Sequence, residues 1–390
     1  MSPRILLSLI ILLCASSAGA AGRDEPAAAP MAVFDEAYRA AHRGRISVEV
    51  PEVHELVNVA IALTPFADES ENLVEKETPY YRAVRERFAP FRRHPFVLLL
   101  DREMRARFDR YFEHKMNAYA FEYDARGRIV PSRVYHRTGF SVDPVNHLLP
   151  HLDLMRDFSD RSGFRRFYAS HRPLFDAQIV EMREIGIEEM MDWLHANFPA
   201  TRYDSVKVIF SPLVSGSQSA TWMSDRGFSE LQAHVNFAYP RPSHVGLSPG
   251  SVALRKGHIL FTELNHGFIN PLGDRYADSI EAAFENGAAW SVPDRTASGY
   301  GTVPFFNEMM NWGLASLYVA QHAPPAERDR LLLLLDEYMG ETGRGFRRFP
   351  AFADFLIELA RQRPGVPVAS LYPDIIDWFA AQEDRRAPSP

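Results

Sequence analysis

Apolar residues recur along most of this chain at intervals of three and four, the spacing that lines one side of a helix. In PEVHELVNVAIALTP, residues 51–65, Val53, Leu56, Val57, Ala60 and Ile61 keep that interval between Pro51 at the start and Pro65 past the end. FVLLLDREMRARFDRYFEHKMNAYAFEYD reads as one long amphipathic helix running into a strand. DARG turns the chain, and RIVPSRVYH returns as a hairpin partner that Pro131 confines to an edge. From Pro144 to about Phe198 the pattern is helical again. Residues 45–50, RISVEV, alternate instead like a strand. Beyond Pro199 the chain becomes β-rich in DSVKVIFSPLV and ELQAHVNFAYP, with SGSQSATWMSDRGFS between them as a turn or loop-bearing strand. After a Pro/Gly/Ser segment, 240–251, helices return over roughly 252–269, 275–289, 303–322, 326–340, 350–362 and 370–382. The chain is therefore expected to be α+β and mostly helical, with a small β-sheet ahead of a helix pair. Pro199 is the expected boundary between regions 45–199 and 200–390, which can also share one core.

The N-terminus breaks this pattern. Arg4 precedes an apolar stretch, Ile5 to Leu13, too short to span a bilayer, and Ala18–Ala20 offers an A-x-A cleavage site. Residues 1–20 read as a signal peptide and 21–44 as a flexible leader, so the mature chain is expected to be exported, periplasmic or extracellular. The other reading is a lipoprotein anchored through Cys14, although Leu13 stands where a lipobox wants a small residue. Cys14 is the only cysteine. The mature chain then has no disulfide and no thiolate, and any metal must be held by His, Asp, Glu or Asn. Of the 43 basic residues only Lys76, Lys115, Lys207 and Lys256 are lysines. The net charge of -7, without a basic stripe, argues against nucleic acid as a partner. No second apolar run is long enough to cross a membrane.

Candidate chemistry sits in GHILFTELNHGFINP, residues 257–271. At about 100° per residue Glu263, His266 and Asn270 share one face, and Leu260, Phe261, Leu264 and Phe268 make the rest apolar. Such a helix must be buried, and burying a carboxylate and an imidazole is costly unless they pair or bind a metal. The zinc-hydrolase signature H-E-x-x-H would need His where Thr262 stands. Three readings stay open. Glu263 is a ligand beside His266; or Glu263 is the base and His266 a ligand completed from elsewhere; or the two form a buried hydrogen bond, with Asn270 capping the helix before Pro271. Downstream, TVPFFNEMMNWGLASLYVAQH, residues 302–322, opens another apolar helix in which Pro304 fits the first turn, Thr302 or a neighbour the cap, and Asn307, Glu308 and Asn311 are polar. Glu308 can equally be an acid stabilising the helix N-terminus. GSQSA lacks a serine-hydrolase spacing, Glu281 and Glu285 read as helix-surface acids, and the Arg/aromatic mixtures near 85–95 and 161–172 as amphipathic faces.

The phrases EVPEVHELVNVAIALTP, FRRFYASHRPLF, IFSPLVSGS, FTELNHGFINP and FNEMMNW resemble a family of secreted bacterial proteins akin to gluzincin-type metallopeptidases, over about residues 45–320. The resemblance implies a zincin-like active-site helix pair holding zinc or another divalent transition metal. Glu263 would be catalytic base or ligand, His266 and Glu308 ligands, and Thr262, Asn270 and Asn311 orienting groups. It also implies an edge strand along the cleft, in SPLVSGSQSATW or QAHVNFAYP, where His234 is a further ligand candidate. The activity implied is metal-dependent hydrolysis of a peptide or protein substrate. Thr262 departs from the pattern, so the alternative is a pseudoenzyme binding a peptide or cell-envelope partner in the same cleft.

Overall fold

The computed structural model describes residues 30–140, 145–284 and 289–384. The expected signal peptide lies outside the described residues, as do Cys14 and Glu285. The fold is α+β and mostly helical, in two compact units, each discontinuous in sequence.

The first unit holds the described residues of 30–185 and 203–239. Its helices are α1 (Glu36–His42), α2 (Glu52–Ala62), α3 (Pro65–Glu69), α4 (Pro79–Phe88), α5 (Pro95–Ala106), α6 (Arg110–Asn117), α7 (Leu152–Ser162) and α8 (Phe164–Arg183). Its strands are β1 (Arg45–Glu49), β2 (Phe121–Tyr123), β3 (Ile129–Pro131), β4 (Ser205–Ser211), β5 (Ser219–Asp225) and β6 (Phe228–Asn236). Side-chain oxygens of Asp35, Thr64 and Thr78 cap α1, α3 and α4. The main sheet has the order β1-β4-β6-β5, parallel except for the antiparallel pair β5–β6; β2 and β3 form the expected hairpin. Val206, Val208 and Phe210 of β4 alternate with Ser205, Lys207 and Ser211, and every residue of β4 is buried. Register puts Glu230, Gln232 and His234 of β6 on the polar side.

Three expectations are corrected here. The long helix through 95–117 is broken at Arg107, whose backbone is extended, so α5 and α6 are separate. Within the expected leader Glu36–His42 form α1, and Phe34 is fully buried, stacked on Tyr38 and edge-on to Phe228. QAHVNFAYP is no edge, because β6 lies between β4 and β5; the edge at that end is β5.

The second unit holds 186–202 and the described residues from 240 on, so it takes residues from both sides of Pro199. It is helical: α9 (Ile187–Asn197), α10 (Pro249–Arg275), α11 (Ala277–Ala283), α12 (Thr302–His322), α13 (Pro325–Met339), α14 (Phe349–Gln362) and α15 (Tyr372–Asp384). α10 does not stop at Asn270. It continues through Pro271, because burial of Phe268, Ile269 and Leu272 outweighs the hydrogen bond that proline removes. Gly301 caps α12 in place of Thr302. Glycines let α12 approach its neighbours. A Cβ on Gly273 of α10 would lie 2.1 Å from Asn307 Oδ1, and one on Gly313 would lie 2.6 Å from Phe352 Cε1 of α14. Among the described residues no helix is long and apolar enough to cross a membrane.

Gly313→Ala sets helix propensity against packing. Propensity favours Ala by about 1 kcal/mol, but overpacking costs roughly 1–3 kcal/mol. The expected result is a lower midpoint in chemical denaturation, and an unchanged or raised midpoint would show that α12 and α14 are not this closely packed.

Candidate functional site

The α10 helix starts at Ser248, whose hydroxyl accepts from Ser251 N, and Glu327 of α13 anchors that turn by accepting from Ser248 N at 2.9 Å and Ser248 Oγ at 2.6 Å. Two turns of α10 then lie against the first turns of α12. The contact is polar inside an apolar surround. Asn265 Nδ2 donates to Asn311 Oδ1 at 3.0 Å, Asn311 Nδ2 donates to His266 Nε2 at 3.0 Å, and His266 Nδ1 lies 3.3 Å from Asn270 Oδ1. The direction of the chain is set by Asn265. With Asn311 donating, His266 holds its lone pair on Nε2 and gives its Nδ1–H to Asn270. Asn270 is thus a side-chain acceptor within the helix and not its cap.

Glu308 is 6% exposed. Its Oε1 accepts from Arg344 Nη1 at 2.5 Å and Trp312 Nε1 at 3.0 Å, while Oε2 stands 3.8 Å from His266 Nε2. Arg344, in the segment between α13 and α14, also donates to Tyr300 Oη at 2.9 Å and lies over the rings of Trp312, Tyr338 and Phe346. Burial by itself would push the Glu308 carboxyl up. The Arg344 guanidinium, reinforced by the hydrogen bonds from Arg344 and Trp312, outweighs it and holds the group below the ordinary value of 4.5. Burial likewise works against the Arg344 charge, and Glu308 reverses that, so the guanidinium is held charged. Burial and the Glu308 charge push the Tyr300 phenol up.

Of the residues singled out from sequence, the structure brings together His266, Asn270, Glu308 and Asn311. Glu263 is buried on α10 one turn before His266. Thr262 is buried with its hydroxyl turned back to Ile259 O at 2.8 Å, so it faces its own helix backbone. His234 belongs to the other compact unit, and Glu281 is exposed on α11. Arg344 was not singled out by sequence. The run GRGFRRFP carries no spacing that marks one arginine of three as buried.

As a metal centre these residues fit poorly. Among the described residues no three His, Cys, Asp or Glu side chains are gathered closely enough to hold an ion. The lone pair His266 would offer is taken by Asn311, and one oxygen of Glu308 by a guanidinium and an indole. What the arrangement does chemically is hold a buried carboxylate ionised and fix an imidazole tautomer. No protein-family model matches this chain, and neither does any curated protein or solved structure.

Arg344→Met leaves a buried carboxylate unpaired and is expected to cost about 3–5 kcal/mol at pH 7, part of which the Arg344→Met/Glu308→Gln double variant restores. The folded Glu308 carboxyl ionises below 4.5, its ordinary value. Its stabilisation is therefore complete above that pH and lost as pH falls through the folded value. Denaturant midpoints of wild type and Arg344→Met should converge on acidification; a constant gap would show that the pair contributes packing alone.

Proposed function

We propose that this chain is an exported binding protein, a pseudoenzyme built on a gluzincin-like helix pair, and that its partner is a peptide or a cell-envelope component. One observation carries the reading. The positions that a gluzincin-type site reserves for metal contacts are here engaged by protein groups: Arg344 and Trp312 on Glu308, Asn311 on His266 Nε2, and the Ile259 carbonyl on Thr262. Glu308 and Arg344 neutralise each other inside the helix cluster, so neither needs an ion to make its burial tolerable. Freeing the carboxylate for a metal would leave the Arg344 guanidinium buried without its counter-charge, a cost of several kcal/mol. The metal-dependent hydrolase reading requires that rearrangement. The binding reading requires none, and leaves the helix pair as a rigid support.

Metal analysis of the mature chain, purified without a His tag or chelator, tests this. The expected zinc content is far below one per chain even after incubation with zinc, with tight uptake only in a Thr262→His/Arg344→Met variant. About one transition-metal ion per wild-type chain, lost in His266→Ala, would overturn the proposal and restore the hydrolase reading.

A further inference from the structure

The first unit carries a second polar cluster, on the buried polar face of its main sheet. At one end of that face Glu230 is fully buried. It accepts four hydrogen bonds: Tyr38 Oη at 2.6 Å, Tyr135 Oη at 2.6 Å, Ser205 Oγ at 2.7 Å and Gln232 Nε2 at 2.8 Å. The last of these fixes the Gln232 amide. Its oxygen is then the atom 3.3 Å from His234 Nε2, so His234 carries its proton on Nε2 and a bare lone pair on Nδ1. That Nδ1 is buried without a hydrogen-bond partner. Ser219, which faces His234 across the β5–β6 ladder, is fully buried and its Oγ also lacks a partner.

One lysine and a second imidazole lie close to these two residues. The His54 ring of α2 lies 5.9 Å from the His234 ring, centroid to centroid. Lys115 of α6, 1% exposed, donates to Ser217 O at 2.7 Å, two residues before Ser219. Ser217 has a left-handed backbone, φ 63°, which a non-glycine residue adopts only at a cost of about 1–2 kcal/mol. Residues 215–218 are also partly exposed, although Leu213, Val214, Ser219 and Ala220 on either side are buried. Burial, with the Lys115 charge behind it, lowers His54 to about 3, and burial, then the neighbouring His54 and Lys115, lowers His234, so both rings are neutral at neutral pH.

We propose that His54, Lys115, Ser219 and His234 form a binding site for a phosphate group, entered by displacement of the 215–218 loop. Lys115, Ser219 and the His54 N–H would donate to the phosphate oxygens. His234 Nδ1 would accept the P–OH hydrogen. That acceptor sets the specificity. Phosphate and its monoesters still carry an ionisable proton near neutral pH, whereas sulfate carries none and would leave two acceptors facing each other. The Glu230–Gln232 relay matters because it keeps the lone pair, and not an N–H, turned to the ligand. The proposal is independent of the α10–α12 helix pair.

Calorimetric titration of the mature chain near pH 7 with inorganic phosphate, methyl phosphate and sulfate tests it. Inorganic phosphate should bind at least about tenfold more tightly than sulfate. Methyl phosphate binding as well would identify a phosphomonoester as the ligand class, and its exclusion would identify free phosphate. Ser219→Ala, a small change on a folded sheet, should weaken phosphate roughly three- to tenfold with little change in melting temperature. No heat with either oxyanion, sulfate equal to phosphate, or a Ser219→Ala variant that binds as wild type would each overturn the site.

Discussion

A charge taken out of water must be given a partner, and that requirement organises both units of this protein. In the helical unit Glu308 is the residue that cannot be buried alone. The Arg344 guanidinium meets it from the segment between α13 and α14, with Trp312 from its own helix and Tyr300 behind the arginine. The pair thereby ties a loop far along the chain to the first turns of α12. The apolar packing around it depends on that closure, since a lone carboxylate there would have to protonate or draw in water.

The same rule explains why the small sheet has one polar face that is nevertheless buried. Its apolar side, with Val206, Val208, Phe210 and Leu231, forms an ordinary core. On the other side four donors saturate Glu230. Glu49 takes the Tyr119 hydroxyl at 2.6 Å and lies 3.5 Å from Lys207 Nζ. Polar satisfaction on this scale fixes side-chain orientation more tightly than apolar packing would, since each member dictates the proton position of the next. The tautomer of His234 is a consequence of the Gln232 amide, which is itself set by Glu230.

The two clusters solve the problem differently. Around Glu308 opposite charges neutralise each other directly. On the sheet face a carboxylate and a neutral imidazole are joined through an uncharged amide, so one end is saturated and the other keeps open positions at Ser219 Oγ and His234 Nδ1. A carboxylate and an imidazole already engaged by Arg344, Trp312 and Asn311 suit a rigid support, and an imidazole lone pair left open beside a hydroxyl suits recognition.

Sequence alone determined the class of fold, the helix bearing Glu263 and His266, the β2–β3 hairpin and the burial of the second helix, because each follows from local periodicity, turn residues and apolar content. It also brought His266, Asn270, Glu308 and Asn311 under suspicion, since polar residues on an all-apolar helix must have a reason to be there. Only the tertiary structure decided what those reasons are. Arg344 is dozens of residues from Glu308 and one of several arginines in its stretch, so nothing local marks it as the counter-charge. The continuation of α10 past Pro271 was likewise set by what Phe268, Ile269 and Leu272 bury against. His54, Lys115, Ser219 and His234 come from four separate elements, and only strand register and helix placement bring them together. Spacing within one element is written in the sequence; partnership between elements is a property of packing, and at both clusters the chemistry is made of partnerships.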